Sequence, residues 1–369
     1  MSYRFPLFIT LFYCVTLHTV ILNAQNNIAG NSNKKETSAY TQSGLFDDDS
    51  TFHFKLTGKL NDLFNDRNEK TAAYHPMLLQ YTRKDSSLVS IQLKVKTRGH
   101  FRRMKANCKM PPLLLNFPKT EKIKNSVFEK QSKFKLVVPC QGDEYVIKEW
   151  LVYKIYNIIS GMSFRAKLVL VDFEDSSMRR KTETHYCILL EDEKKVAERN
   201  KAFVWNRKML TMKNTNGDEF RKMAVFQYMI GNTDWGVPYL QNIVLITTDS
   251  AKAPFAVPYD FDHAGIVDAP YAGPPPELEI SSIRERLYRG YCESDKNNFA
   301  KTFGLFNGLK NDIYNLYTNC SLLTPKYVKF VTRYLDDFYK TINSNKEIDS
   351  EFLKPCRTDV RVEIKGLKD

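Results

Sequence analysis

Four polar side chains stand close together in the second half of the chain. Asp234 lies in Gly-Asn-Thr-Asp-Trp-Gly, Asn242 in Leu-Gln-Asn-Ile, and Asp260 and Asp262 in Tyr-Asp-Phe-Asp-His-Ala-Gly. Carboxylate and amide oxygens are what hard divalent ions such as Mg²⁺ and Mn²⁺ bind, usually alongside retained waters and phosphate oxygens. A further carboxylate beside such an ion orients a hydroxyl for attack on a phosphoryl group. Taken singly, each residue also fits a simpler task, because Asn and Asp cap helices and close turns between periodic segments. Taken together and in this order, they fit a phosphoryl-transfer site.

The flanking pattern puts all four in connections. Apolar Met223, Phe226, Tyr228 and Ile230 predict a buried helix ending at Gly231. Residues 243–246 and 255–257 predict two strands joined near Asp249. Asp260 then ends a strand. Asp262, two residues on, is either a second ligand or an acceptor for nearby backbone amides.

The Tyr-Asp-Phe-Asp run after an apolar strand resembles the metal-binding Asp-Phe-Gly element of kinases. With Asn232-x-Asp234 and the downstream Asn242, the segment resembles the CotH-type (spore-coat protein H-like) atypical kinases, and more loosely the HipA-like and lipid-kinase-like ones. It looks nearest to secreted Bacteroidetes proteins of the CotH kind. That resemblance implies Asp234 as the catalytic carboxylate, Asn242 and Asp260 as metal ligands, and ATP with Mg²⁺ or Mn²⁺ as cofactors. One difference is visible: seven residues separate Asp234 from Asn242, against four in the protein-kinase catalytic loop. Trp235 also stands where related kinases often carry a basic or small residue.

The first half of the chain supplies candidates for holding a nucleotide. Residues 75–82 and 89–97 alternate apolar and polar side chains and predict a hairpin across Lys84-Asp85-Ser86. The second strand delivers Arg98-Gly99, which by the CotH resemblance covers phosphates, glycine allowing close backbone approach and arginine supplying a planar fork. A basic surface hairpin end is the alternative. Residues 133–138 predict a strand and 144–160 an amphipathic helix, so Lys135 and Glu149 match the kinase lysine–glutamate pair that fixes the α- and β-phosphates. Lys133 points the same way as Lys135. Strands at 166–171 and 186–190 lead to Glu191, which matches a recurring hinge residue near the adenine; the charged run after it reads as a solvated face.

Arg4 followed by an apolar stretch and Leu-Asn-Ala24-Gln25 predicts a secretory signal peptide over residues 1–24, hence export to the periplasm, outer surface or medium. Residues 25–50 are rich in Asn, Ser, Lys and Asp and predict a flexible leader. Without Cys14, six cysteines remain, an even count that suits disulfides in an exported chain. Cys108 and Cys140 flank the same strand region and are the expected pair. The formal charge of +13 suits anionic partners, an acidic protein among them. No nucleic-acid-binding motif appears, so nucleic acid is not expected. No Gly-x-Ser-x-Gly elbow or histidine metal spacing appears, and no transmembrane segment follows the signal.

After Gly265, a proline-rich segment leads to Arg284, Arg286 and Arg289, placed to hold an acidic substrate or a structural carboxylate. Helices are expected at 296–319 and 325–342. The expected fold is therefore α+β: a bilobal, atypical protein-kinase-like architecture with an antiparallel-sheet N-lobe over 51–195 and a mostly helical C-lobe over 196–369. The expected activity is transfer of the γ-phosphoryl of ATP to a protein hydroxyl. A catalytically inactive pseudokinase serving as binding module or envelope scaffold is the first alternative, since exported compartments are poor in ATP. A metal-dependent phosphate hydrolase or transferase is the second.

Overall fold

The computed structural model describes residues 44–118, 123–129 and 131–353. The expected signal peptide and residues 25–43 of the leader lie outside the described residues, as do Cys14 and Cys356. The main sheet is built from β1 (Phe52–Gly58), β2 (His75–Thr82), β3 (Leu88–Thr97), β4 (Leu113–Asn116), β5 (Lys133–Val137), β6 (Ala166–Asp175) and β7 (Glu183–Leu190). It closes into a seven-stranded barrel in the order β1-β2-β3-β4-β5-β7-β6.

This corrects the expected antiparallel sheet. Every neighbouring pair is antiparallel except β1 and β6, which run parallel with Phe52 opposite Val169 and Gly58 opposite Asp175. That pair removes the open edges a sheet would otherwise expose. Alternation along β3 sends Val89, Ile91, Leu93 and Val95 inward, where they meet Phe54, Leu56, Leu115, Phe134 and Phe173.

Helix α1 (Leu60–Asn65) adds Leu60, Leu63 and Phe64 to the barrel core. Further elements share a second apolar core. They are α2 (Asp143–Ile159), α3 (Glu193–Arg199), α4 (Gly217–Ile230), a small sheet of β8 (Phe203–Val204), β9 (Ile243–Thr247) and β10 (Phe255–Pro258), and helices α5 (Ala300–Gly308), α6 (Lys310–Thr318) and α7 (Pro325–Ile342). Residues 296–319, expected as one helix, are a 3₁₀ turn followed by two helices that part at Leu309, where the backbone leaves helical values just after Gly308. Residues 44–50, expected as the end of a flexible leader, are tied to the barrel at Leu45 and Asp48 and otherwise mostly exposed. Leu45 is buried in the barrel core, and Lys167 Nζ donates to the Asp48 carbonyl at 2.8 Å and carboxylate at 2.7 Å.

Candidate functional site

The Asp234 loop is fixed by the end of α4. Asn216 caps the start of that helix, and Gly231 closes it at φ 66°, a left-handed turn in which any Cβ would collide with Tyr334 Oη. Beyond it, Asn232 is fully used: Nδ2 donates to Gln227 Oε1 at 3.0 Å, Oδ1 accepts from the Asp234 amide at 3.0 Å, and its carbonyl accepts from Trp235 Nε1 at 3.1 Å. Arg289 donates from below to the carbonyls of Thr233 and, at 2.8 Å, Trp235.

The longer loop does not separate Asp234 from Asn242. Gly236 and Gln241 exchange backbone hydrogen bonds of 3.0 and 2.9 Å, so the intervening residues fold out as a side turn. Asn242 Nδ2 then donates to Asp234 Oδ2 at 2.9 Å and to its carbonyl at 2.7 Å, while Gln241 Nε2 donates to Oδ1. An amide that donates through Nδ2 keeps Oδ1 as its ligand atom. Burial raises the Asp234 carboxyl above its ordinary range, and Asp260 pushes the same way against His263 and the two amide donors. A carboxylate tuned upward is suited to take a hydroxyl proton.

The second acidic element is joined to the first through the backbone, Tyr259 N donating to the Asn242 carbonyl at 3.0 Å. Asn242 and Asp260 both adopt positive φ, 50° and 64°. Such a conformation costs about 1–3 kcal/mol in a residue other than glycine and persists where surroundings impose it. Here they do. Asp260 N donates to Tyr153 Oη of α2 at 2.9 Å, and Phe261 is fully buried between Tyr153 and Phe226 with ring centroids at 4.8 and 5.5 Å. Burial raises Asp260, and the adjacent Asp262 adds to it, against Arg102 and Arg98.

Asp262 serves first as an acceptor, of the two roles its position allows. Its Oδ2 receives Tyr271 Oη at 3.1 Å and lies 3.4 Å from Arg102 Nε. Arg102, from the 3₁₀ turn Phe101–Arg103 after β3, was not singled out from the sequence, although it belongs to the basic run that begins with Arg98-Gly99. Nothing local in that run shows which arginine turns inward.

Arg98 and Lys135 reach the same region, since Arg98 acts electrostatically on Asp260 and on Lys135. Lys135 Nζ lies over the Tyr259 ring at 4.2 Å, and burial with repulsion from Arg98 holds it down to about 8. Lys133 is exposed on the barrel surface. The expected pairing of Lys135 with Glu149 is corrected. Glu149 is buried on α2, its Oε1 without a hydrogen-bond partner among the described residues; burial pushes its carboxyl well up, and the cation acting on it is Arg102.

Glu191, expected at the hinge near the adenine, uses its carboxylate within the protein. Its carboxylate accepts from Arg199 Nε at 3.1 Å and from the Arg165 amide at 3.0 Å, so its acceptors are engaged in joining β7 to α3. The three downstream arginines act structurally. Arg284 forks onto Asp268 at 2.8 and 2.6 Å, Arg286 donates to the carbonyls of Met229 and Tyr334, and Arg289 braces the Asp234 loop. The Cys108–Cys140 pairing is borne out, with Cα atoms 4.7 Å apart.

Among the described residues, no three His, Cys, Asp or Glu side chains form a ready-made metal cage. Asn242 lies beside Asp234 and is joined through the Tyr259 amide to the turn that carries Asp260; carboxylate and amide oxygens are the donor types of an ion shared with phosphate oxygens, as Mg²⁺ usually is. Among the described residues no helix is long and apolar enough to cross a membrane.

No protein-family model matches the sequence, and no curated protein matches it. Among solved structures the chain is similar to a proinflammatory kinase of Helicobacter pylori, CtkA, at 9% identity and a TM-score of 0.37, over 65% of this chain and 92% of that one. At that distance the likeness carries no argument about activity, and function is read from the site itself.

Proposed function

We propose that the chain is an exported atypical kinase of CotH type that transfers the γ-phosphoryl group of ATP to a protein hydroxyl. The observation that carries this is the join of the two acidic elements: Asn242 donates to Asp234 at 2.9 Å while its carbonyl receives the Tyr259 amide at 3.0 Å, next to Asp260. Asp234 orients the hydroxyl and accepts its proton, helped by a carboxyl that burial raises. Asp260 and Asn242 Oδ1 are the residues to hold Mg²⁺ or Mn²⁺, with Asp262 as a further donor. A bound divalent ion supplies bridging of phosphate oxygens and neutralisation of their charge. Arg98 and Lys135 contribute positive charge for the phosphates, and the Gly99 backbone at φ 81° permits close approach.

Export is supported by the apolar amino-terminal stretch and by the Cys108–Cys140 bond, which persists in oxidising compartments. The formal charge of +13 favours an acidic protein as acceptor. The test is thermal stabilisation by ATP with Mn²⁺: wild type is stabilised, and Asp260→Ala folds but loses the Mn²⁺-dependent part. Undiminished stabilisation of Asp260→Ala removes Asp260 from the ligand set. Stabilisation of the wild type without turnover favours the pseudokinase, and phosphate release without an acceptor favours the hydrolase.

A further inference from the structure

Arg102 competes for the same oxygens that the proposed chemistry needs. Its Nε lies 3.4 Å from Asp262 Oδ2 and its Nη2 4.0 Å from Asp260 Oδ1, with the side chain only 8% exposed. The two arms of this contact are unequal in exposure: Asp262 is 8% exposed and Asp260 31%. The guanidinium is therefore anchored on the dry carboxylate and reaches toward the wetter one.

The backbone beneath it is held elsewhere. Arg67 Nη1 donates to the carbonyls of Arg103 and Cys108 at 3.1 and 2.9 Å, Arg103 Nη2 donates to the Thr97 carbonyl at 2.9 Å, and Cys108 is bonded to Cys140. The backbone is thus held on both sides of Arg102, so an exchange of partners falls to its side chain. A divalent ion that took Asp262 Oδ2 or Asp260 Oδ1 would need them at about 2.0–2.1 Å and would sit against the guanidinium that faces those two oxygens, and the two charges repel.

We infer that Arg102 gates the cation seat: it holds Asp260 and Asp262 as an internal counter-ion and releases them when nucleotide phosphates offer it a bidentate partner, so that cation and nucleotide bind together. This rests on the phosphoryl-transfer reading of the site. Arginine suits the exchange because its planar fork matches phosphate as well as carboxylate. The coupling is reciprocal, so each ligand tightens the other by the same factor.

The test is Mn²⁺ binding to the full chain, followed by the electron paramagnetic resonance signal of free Mn²⁺, without nucleotide and with adenylyl imidodiphosphate. Wild type should bind Mn²⁺ alone weakly, and Arg102→Gln about tenfold more tightly, while its affinity for the analogue falls by a similar factor and the coupling shrinks. Arg102→Lys keeps the charge without the fork and should lie between them; it decides the matter if Arg102→Gln does not fold. Variants that bind Mn²⁺ alone and the analogue as the wild type does would make Arg102 a fixed structural pin and overturn the inference. A wild type that binds neither the analogue nor Mn²⁺ with it would overturn the phosphoryl-transfer reading and the inference together, a result visible before any variant is made.

Discussion

Two loops meet at the acidic cluster, and they are held in opposite ways. The 231–242 loop is held largely from within, with Arg289 as a remote brace on its carbonyls: Asn232 bonds Gln227, Asp234 and Trp235, and Gly236 pairs with Gln241, all within a few residues of one another. The 97–112 loop is held from a distance, by Arg67, by Cys140 and by Asp262. The first is rigid because its sequence caps and bridges its own backbone. The second owes its shape to partners that arrive from other parts of the fold. The self-held loop carries the group proposed to handle the proton, and the remotely held loop carries the groups proposed to answer to phosphate.

Breaking the remote clamp should have the largest effect on stability. Replacing Cys108 and Cys140 by serine should lower the unfolding free energy by about 2–4 kcal/mol in urea titration, and nucleotide affinity should fall with it because the loop bearing Arg98 and Arg102 loosens. Unchanged affinity would mean that Arg67 alone holds the loop. Breaking the self-held loop should cost less stability and more turnover. Asn232→Ala removes two side-chain hydrogen bonds at once, to Gln227 and to the Asp234 amide, and should destabilise by about 1–3 kcal/mol, with kcat falling and KM little changed, as steady-state kinetics can separate.

The smallest effect is a pH dependence. Lys135 is held down to about 8 by burial and by Arg98, so it is cationic below that pH and loses its charge as pH rises through it. Analogue affinity should therefore weaken above about pH 8 in calorimetric titration. Lys135→Arg, which stays charged, should flatten the profile. A wild-type profile that is flat from pH 7 to about 9.5 would take Lys135 out of phosphate binding.

The same contrast explains what could be read from sequence. Helix α4 with its Gly231 stop, strands β9 and β10, and helix α7 follow from local periodicity and caps, and the polar residues of the Asp234 loop fall where that periodicity breaks. Barrel closure depends on β1 lying parallel to β6, a pairing of segments more than a hundred residues apart that no local pattern records. Glu149 was legible as a helix acid that meets a cation, but not which cation, because the choice between Lys135 and Arg102 is made by where the 97–112 loop turns. The partners of the Glu191 carboxylate, Arg199 and the Arg165 amide, meet it through the fold and no local pattern names the second of them. The segment 44–50 looked like leader by composition, yet Leu45 and Asp48 are claimed by the barrel and Lys167.

The most direct measurement of the proposed chemistry compares wild type with Asp234→Asn for two quantities on the same preparations: binding of an ATP analogue with Mn²⁺, and incorporation of labelled γ-phosphate into the protein itself or into an envelope extract. Asparagine keeps the size of the side chain and removes the carboxylate that Asn242 and Gln241 hold in place. Analogue binding should stay nearly intact while transfer falls by at least about a hundredfold, the usual scale for losing a general base. Equal transfer by wild type and Asp234→Asn would contradict the central role of Asp234, and so would parallel loss of binding and transfer.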